Sequence, residues 1–72
     1  MRTDLIIATD EDYEEQIVTE SDVACVPNFG DIIQIGADDY KVIERRFQYH
    51  PELKNIRVCV CWIRVEKLED DE

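Results

Sequence analysis

Four residues that punctuate a chain, Pro27, Gly30, Gly36 and Pro51, divide this sequence into short apolar segments. Proline removes a backbone donor, glycine tolerates positive φ, and the β-branched residues between them favour extended structure. The 72 residues suffice for one domain, which buries only roughly 60 % of its unfolded surface. The pattern therefore predicts a single all-β or mainly β domain with a small core.

The apolar segments predict five or six short strands joined by tight turns. In chain order they are residues 3–8, one or two strands within 15–26, then 31–35, 40–49 and 56–68, the last being the longest. A polar turn at 19–22 would split the second segment, and a short helix over 12–18 is the competing prediction. Such strands bury their apolar faces best in a partly open small barrel or a compact two-sheet sandwich. We assign residues 1–68 to this domain and 69–72 to an acidic disordered tail.

In two segments, the positions of the apolar residues predict how the strand is bent or buried. In residues 40–49, one face of the strand holds Tyr40 and Val42, whereas the other holds Ile43, Phe47 and Tyr49. A β-bulge, or a strand that passes from one sheet to another, produces such a change of face. The segment 56–68 is apolar on both sides, which predicts burial on both faces at its middle and places Trp62 in the core.

Residues 26–42 have a recognisable arrangement of turn and hairpin. Pro27-x-x-Gly30-Asp31, alternating aliphatic residues, a polar turn at 36–39 and Tyr40-x-Val42 resemble the opening hairpin of SH3-like small β-barrels, and many small bacterial and phage proteins built on that plan. The resemblance implies a fold and carries no functional residue across. Peptide-binding SH3 domains line a groove with aromatic residues, which here would be Tyr40, Phe47, Tyr49 and Trp62. Ribosomal and elongation-factor members are usually basic, and this chain departs from them.

The net charge of −10 is unevenly distributed. Residues 1–40 hold 11 acids and one base, residues 41–67 hold seven bases and three acids, and residues 68–72 hold four acids. Binding of nucleic acid or anionic lipid needs clustered cations, so the net charge disfavours nucleic-acid and membrane partners. It is compatible with a basic protein partner, or with a role in solubility alone.

The start of the chain and the cysteine count bear on location. The apolar run at Leu5–Ala8 is too short for a signal peptide, and no segment approaches the ~20 apolar residues of a membrane span. Three cysteines without an export signal indicate reduced thiols. We therefore expect a cytoplasmic protein.

Three residue groups have side chains of the kinds that bind metals or take part in catalysis. By residue type alone, four side chains could supply the ligands of a zinc site: Cys25, His50, Cys59 and Cys61. A C-x-C pair within a strand lacks the curled backbone of a zinc knuckle, so we interpret the cysteines as small buried hydrophobes. The acidic run from Asp10 has Glu15 where a calcium loop needs glycine. The single histidine has no nucleophile at motif spacing. We predict no catalytic residue, no cofactor and no metal site, and hence no enzyme.

The remaining candidate is an interaction surface, formed by Arg45, Arg46, Tyr49 and His50. Cations beside aromatic rings can clamp single-stranded nucleic acid, although the net charge opposes this and the simpler interpretation is that these arginines neutralise nearby acids such as Glu44 and Glu66. We predict a protein–protein interaction or structural module with an unidentified protein partner, or a homo-oligomer formed through a strand edge. The alternatives are an acidic inhibitor that imitates nucleic-acid phosphates and a small barrel that binds nucleic acid.

Overall fold

The computed structural model describes residues 2–49 and 58–69, which form one curled five-stranded sheet with no helix among them. The strands are β1 (Arg2–Ala8), β2 (Gln16–Glu20), β3 (Ile32–Ile35), β4 (Asp38–Tyr49) and β5 (Val58–Leu68). The sheet makes half of a barrel, so the all-β prediction is confirmed and the helix over 12–18 is wrong. The predicted connection at 50–55, the start of the last strand at 56–57 and the tail at 70–72 lie outside the described residues.

The strands are ordered β2-β1-β5-β4-β3 across the sheet. β1 and β5 run parallel, whereas β1–β2, β3–β4 and β4–β5 are antiparallel pairs. β5 is therefore the central strand, and the strands of the β1–β2 hairpin do not contact those of the β3–β4 hairpin. At 12 residues β4 is one residue longer than the described part of β5.

One face of the sheet, here called the core face, holds the hydrophobic core. The registers place Leu5 opposite Cys61, Ile7 opposite Ile63, and Val42 opposite Val65. All six of these side chains are buried. On the opposite face, here called the back face, Val60 and Trp62 are half-buried, so β5 is covered on both sides at its middle as its sequence predicts. Trp62 itself is only half-buried and lies on the back face, so it is not part of the core as predicted.

The segment between β2 and β3 crosses over the core face. The Val23 N–H donates to the Thr3 carbonyl at 2.8 Å, and the Gly30 N–H donates to the Val42 carbonyl at 2.9 Å. Between these anchors Val23 and Val26 pack against the core. The strand predicted over 23–26 is therefore wrong, because its valines cover the sheet instead of joining a ladder.

The β3–β4 hairpin turns on two residues, Gly36 and Ala37. Gly36 has φ +64°, a conformation that a two-residue hairpin turn requires and that glycine adopts at little cost. The turn predicted over 36–39 is present but shorter, because Asp38 and Asp39 already pair as the first residues of β4.

A β-bulge interrupts β4, as the change of apolar face predicts. Val42 pairs with Val65 and Glu44 with Arg64, which leaves Ile43 as the extra residue. Because the bulge shifts the alternation by one residue, Phe47 opposite Cys61 returns to the core face. The bulge thus divides β4 into a proximal half, residues 38–42, and a distal half, residues 43–49.

Candidate interaction surface on strand β4

The two halves of β4 have different neighbours on the side away from β5. β3 pairs with β4 only as far as Lys41, and Gly30 and Asp31 then bond to Val42. Beyond that point no strand within 2–49 or 58–69 pairs with the distal half. Residues 43–49 therefore form a free strand edge.

The hydrogen bonds of Val42 show which backbone groups this edge presents. The N–H of Val42 donates to Asp31 and its carbonyl accepts from Gly30, so both groups point away from β5. Hydrogen-bonded and non-hydrogen-bonded pairs alternate along an antiparallel ladder. Counting from Val42–Val65 through the registered pairs, the residues whose N–H and C=O groups point outward are Arg45, Phe47 and Tyr49.

The same three residues direct their side chains to the core face, where they are incompletely covered. Phe47 is 44 % exposed and Tyr49 is 62 % exposed, which is unusual for large apolar rings. The Arg45 guanidinium lies 4.9 Å from the centre of the Phe47 ring, a cation–π contact. The distal edge thus combines unpaired backbone groups with aromatic surface and a cation.

A shallow cleft lies on the back face beside the distal half. It has a volume of about 380 Å³ and is lined by Asp12, Tyr13, Arg46, Phe47, Gln48 and Trp62. The Trp62 Nε1–H donates to the Gln48 side-chain oxygen at 3.0 Å. The Tyr13 ring meets Trp62 edge to face, with centroids 5.3 Å apart and planes at 68°. These contacts hold the cleft wall in place.

The β1–β2 loop positions Tyr13 through its own backbone. Asp10 accepts hydrogen bonds from the N–H groups of Glu15 at 2.9 Å and Glu14 at 3.1 Å, which lowers the pKa of Asp10. Tyr13 adopts a positive φ of 57° and is buried. Its hydroxyl donates to Glu44 at 3.0 Å. Burial, followed by the contact with Glu44, raises the pKa of Tyr13.

The loop contact with Glu44 was not predicted from the sequence, which indicated only a solvated acidic turn at residues 10–12. The Glu44 Oε1 atom also lies 3.6 Å from the Arg64 Nε atom. This carboxylate therefore accepts a hydrogen bond from Tyr13 and forms an ion pair with an arginine of β5. The expected neutralisation of Glu44 is therefore present, but through Arg64. Within the described residues Arg45 and Arg46 form no ion pair.

The predicted interaction residues are placed on both sides of the sheet. Arg45 and Tyr49 lie on the core face, Arg46 lies on the back face beside Trp62, and His50 lies outside the described residues. A single continuous strip of these residues is therefore not formed by β4 itself. What they share is the free edge between the two faces.

The cysteines differ in exposure. Cys59 and Cys61 are buried on the core face, as predicted, whereas Cys25 is exposed in the crossing segment, so the prediction of a buried Cys25 is wrong. Burial raises the pKa of the Cys61 thiol, and the nearby Arg45 guanidinium opposes part of this effect. Across 2–49 and 58–69, no group of three or more Cys, His, Asp or Glu side chains is arranged to hold a metal ion.

The acidic residues gather at one end of the sheet. Because β1 and β5 are parallel, the β1–β2 loop emerges where β5 ends and β4 begins. The elements that meet at this acidic end carry Asp10, Glu11, Glu14, Glu15, Asp38, Asp39, Glu66 and Glu69, whereas Asp12 of the same loop lines the cleft beside Arg46. Lys67 lies among them and pairs with Asp38 at 3.6 Å. Glu20, the last residue of β2, lies opposite Leu5 at the middle of β1, away from this end.

Comparisons with known proteins do not assign a family. No protein-family model matches the chain, and neither a curated protein nor a solved structure shows significant similarity to it. In the part of the chain that the structure describes, no helix has the length and apolar character to cross a membrane. Function is therefore inferred from the surface chemistry of the molecule itself.

Proposed function

We propose that this protein is a binding module that takes up an extended protein segment as an additional strand on the distal half of β4. The observation that carries the proposal is the free edge at Arg45, Phe47 and Tyr49, where outward backbone groups and exposed rings coincide. Edge strands in soluble proteins are normally shortened, charged or covered. An edge of this length with exposed aromatic residues is suited to a partner.

The chemistry of the edge matches strand addition. Backbone hydrogen bonds supply affinity in this mode, and pockets for alternate side chains supply specificity. Tyrosine and arginine are enriched among residues that dominate binding energy. Phe47 and Tyr49 on the core face would receive apolar side chains of the added strand, whereas Arg46 and the cleft would receive those on the back face.

The proposal includes the resemblance of residues 26–42 to the opening hairpin of SH3-like barrels. The β3–β4 hairpin and the curl of the sheet support it at the level of fold. Peptide-binding members of that class use an aromatic groove, and Phe47 with Tyr49 is the exposed aromatic pair that would serve here.

Site-specific cross-linking tests the proposed surface. A photoreactive amino acid at Phe47 is expected to cross-link a protein partner in the native host. The same group at Ile32, which is 55 % exposed on β3, is the matched control and is expected to give none. The partner's binding segment should protect the amides of Arg45, Phe47 and Tyr49 from hydrogen exchange. Protection confined to other strands would refute the assignment.

A second candidate function is imitation of nucleic-acid phosphates by the acidic end. The topology favours it by bringing the β1–β2 loop next to Glu66 and Glu69. Against it, Glu20 lies away from this end, opposite the middle of β1. Binding to a basic nucleic-acid-binding protein would weaken with salt and would be lost on charge reversal at Glu66 and Glu69 but not at Glu20.

A further inference from the structure

We propose that the strand received by the distal half of β4 is the distal half of β4 from a second copy of this chain. The two strands would pair antiparallel around a two-fold axis at Phe47, joining two five-stranded sheets into one. This inference rests on the proposed function, because it requires the edge to accept a strand, and it adds the identity of that strand.

The backbone restricts the register of such a dimer. Only residues with outward N–H and C=O groups, Arg45, Phe47 and Tyr49, can bond to the second copy. A two-fold axis at Phe47 pairs Phe47 with its equivalent, Arg45 with the second copy's Tyr49, and Tyr49 with the second copy's Arg45. All three outward residues then lie in hydrogen-bonded pairs, each of which exchanges two bonds.

Other two-fold registers are opposed by charge or by proline. An axis at Arg45 or at Arg46 sets two like cations directly opposite each other, which destabilises a strand pair. An axis at Gln48 or at Tyr49 would need residue 51 as the hydrogen-bonding partner of Arg45 or Phe47, and the sequence has a proline there, which has no N–H to donate. The register at Phe47 meets neither obstacle.

The side chains are complementary in this register. On the core face Arg45 meets the second copy's Tyr49, an arginine beside an aromatic ring. On the back face Arg46 lies opposite the second copy's Gln48, and no like charges meet.

The charge of like sign that the two edges bring together is small. Residues 43–49 and 58–64 contain three arginines, Arg45, Arg46 and Arg64, against the single Glu44, for a local charge of +2 in a chain of −10. With ~3.3 Å per residue, the two Asp38 residues would lie roughly 60 Å apart in the dimer, far beyond a Debye length of ~10 Å. The remaining net repulsion is screened by salt, so the dimer is expected to tighten as salt is added.

Sedimentation equilibrium of the full chain, across protein and salt concentrations, tests this dimer. The wild type is expected to be dimeric at high concentration, with a dissociation constant that falls with salt. Phe47→Lys sets two lysines opposite each other and should raise that constant at least about 100-fold (about 2.7 kcal/mol). Ile32→Lys places the same charge on the β3 edge and should leave the constant unchanged.

A disulfide assay tests the register independently of affinity. Because Cys61 lies opposite residue 47 in the same chain, the assay uses a Cys25→Ser, Cys61→Ala background. There Phe47→Cys is expected to give a covalent dimer on mild oxidation, since hydrogen-bonded pairs lie ~5.5 Å apart at Cα, within disulfide range. Gln48→Cys, one residue away and opposite Arg46, should not. Equal cross-linking by both variants would refute the register.

A wild-type chain that is monomeric at every concentration would overturn the dimer altogether. If the photoreactive group at residue 47 nevertheless captured a different protein, strand addition would stand and only the identity of the strand would be refuted. Absence of both results would remove the proposed function as well. The two proposals are therefore separated by the same pair of experiments.

Discussion

The two halves of β4 share one backbone and one neighbour in β5, yet they end in different environments. In the proximal half Val42 is fully buried and Tyr40 packs against the core. In the distal half Phe47 and Tyr49 are 44 % and 62 % exposed although they lie on the same core face. The difference arises from β3 and the crossing segment, which cover only the proximal half. The burial of side chains along β4 therefore depends on how far β3 and the crossing segment extend beside it, rather than on how apolar β4 is.

Truncation of one side chain in each half gives the largest expected contrast. Val42→Ala removes two buried methyl groups opposite Val65 and should cost about 2 kcal/mol of unfolding free energy. Phe47→Ala, although it removes a larger group, should cost less than about 1 kcal/mol because the ring is partly in water. Urea unfolding at low protein concentration measures both without a contribution from association. Equal losses would contradict the comparison.

A change in the β3–β4 turn should affect the proximal half alone. Gly36→Ala adds a Cβ that meets no atom within 4 Å, so its cost comes only from the positive φ of 64° and should be about 1 kcal/mol. Hydrogen exchange should then quicken at Ile33 and Tyr40 and stay unchanged in residues 45–49. Ala37→Gly in the same turn is the control. Faster exchange throughout β4 would show that the halves unfold together.

The distal half is attached to the β1–β2 loop through Tyr13 and Glu44, and this attachment should depend on pH. The pKa of Tyr13 is raised above its ordinary value of 10.0. A raised pKa means that folding favours the neutral phenol, so this stabilisation is complete below pH ~10 and is lost as pH rises through the folded-state pKa. Tyr13→Phe should cost about 0.5–1.5 kcal/mol at pH 7 and remove part of the alkaline loss.

Absorbance titration of tyrosinate provides the check. In the wild type Tyr13 should ionise in a late phase, above the ordinary tyrosine value of 10.0, and Tyr13→Phe should abolish this phase. A wild-type titration without a late phase would mean that the contact with Glu44 is absent in solution.

The smallest expected effect is a difference in the rates at which the three cysteines react with a thiol reagent in the folded protein. Cys59 and Cys61 lie opposite Tyr49 and Phe47, so a thiol reagent reaches them only when the distal half lifts from β5. Cys25 is exposed and should react at once. One fast and two slow thiols are expected, and Cys25→Ser should remove the fast phase. Two fast thiols would indicate that the distal half is already open.

Much of the fold was predictable from local chemistry. Pro27 and Gly30 marked a turn, Gly36 marked the hairpin, and the change of apolar face in residues 40–49 indicated the bulge at Ile43. These features follow from backbone conformations and side-chain alternation, which a short window of sequence contains. The candidate residues of β4 were found in the same way, although their separation onto two faces became visible only with the register.

The features that were missed depend on contacts between distant parts of the chain. Val23 and Val26 have the composition of a strand, but the core offers them a face to cover and no strand to pair with. The attachment of Tyr13 to Glu44 joins residues that are 31 positions apart, and no periodic pattern signals it. Likewise, nothing in the sequences of β1 and β5 shows that these two strands run parallel.

The central position of β5 has a consequence for how the molecule is made. β5 is the last of the five strands to leave the ribosome, yet it is the strand that pairs with both the β1–β2 and the β3–β4 hairpin. A two-stranded hairpin is marginally stable at best in water. Both hairpins must therefore wait, incompletely folded, until residues 58–68 have been synthesised. Pairing of β1 with β5 then closes a loop of some fifty residues, so we expect slow, single-step folding and dependence on chaperones during synthesis.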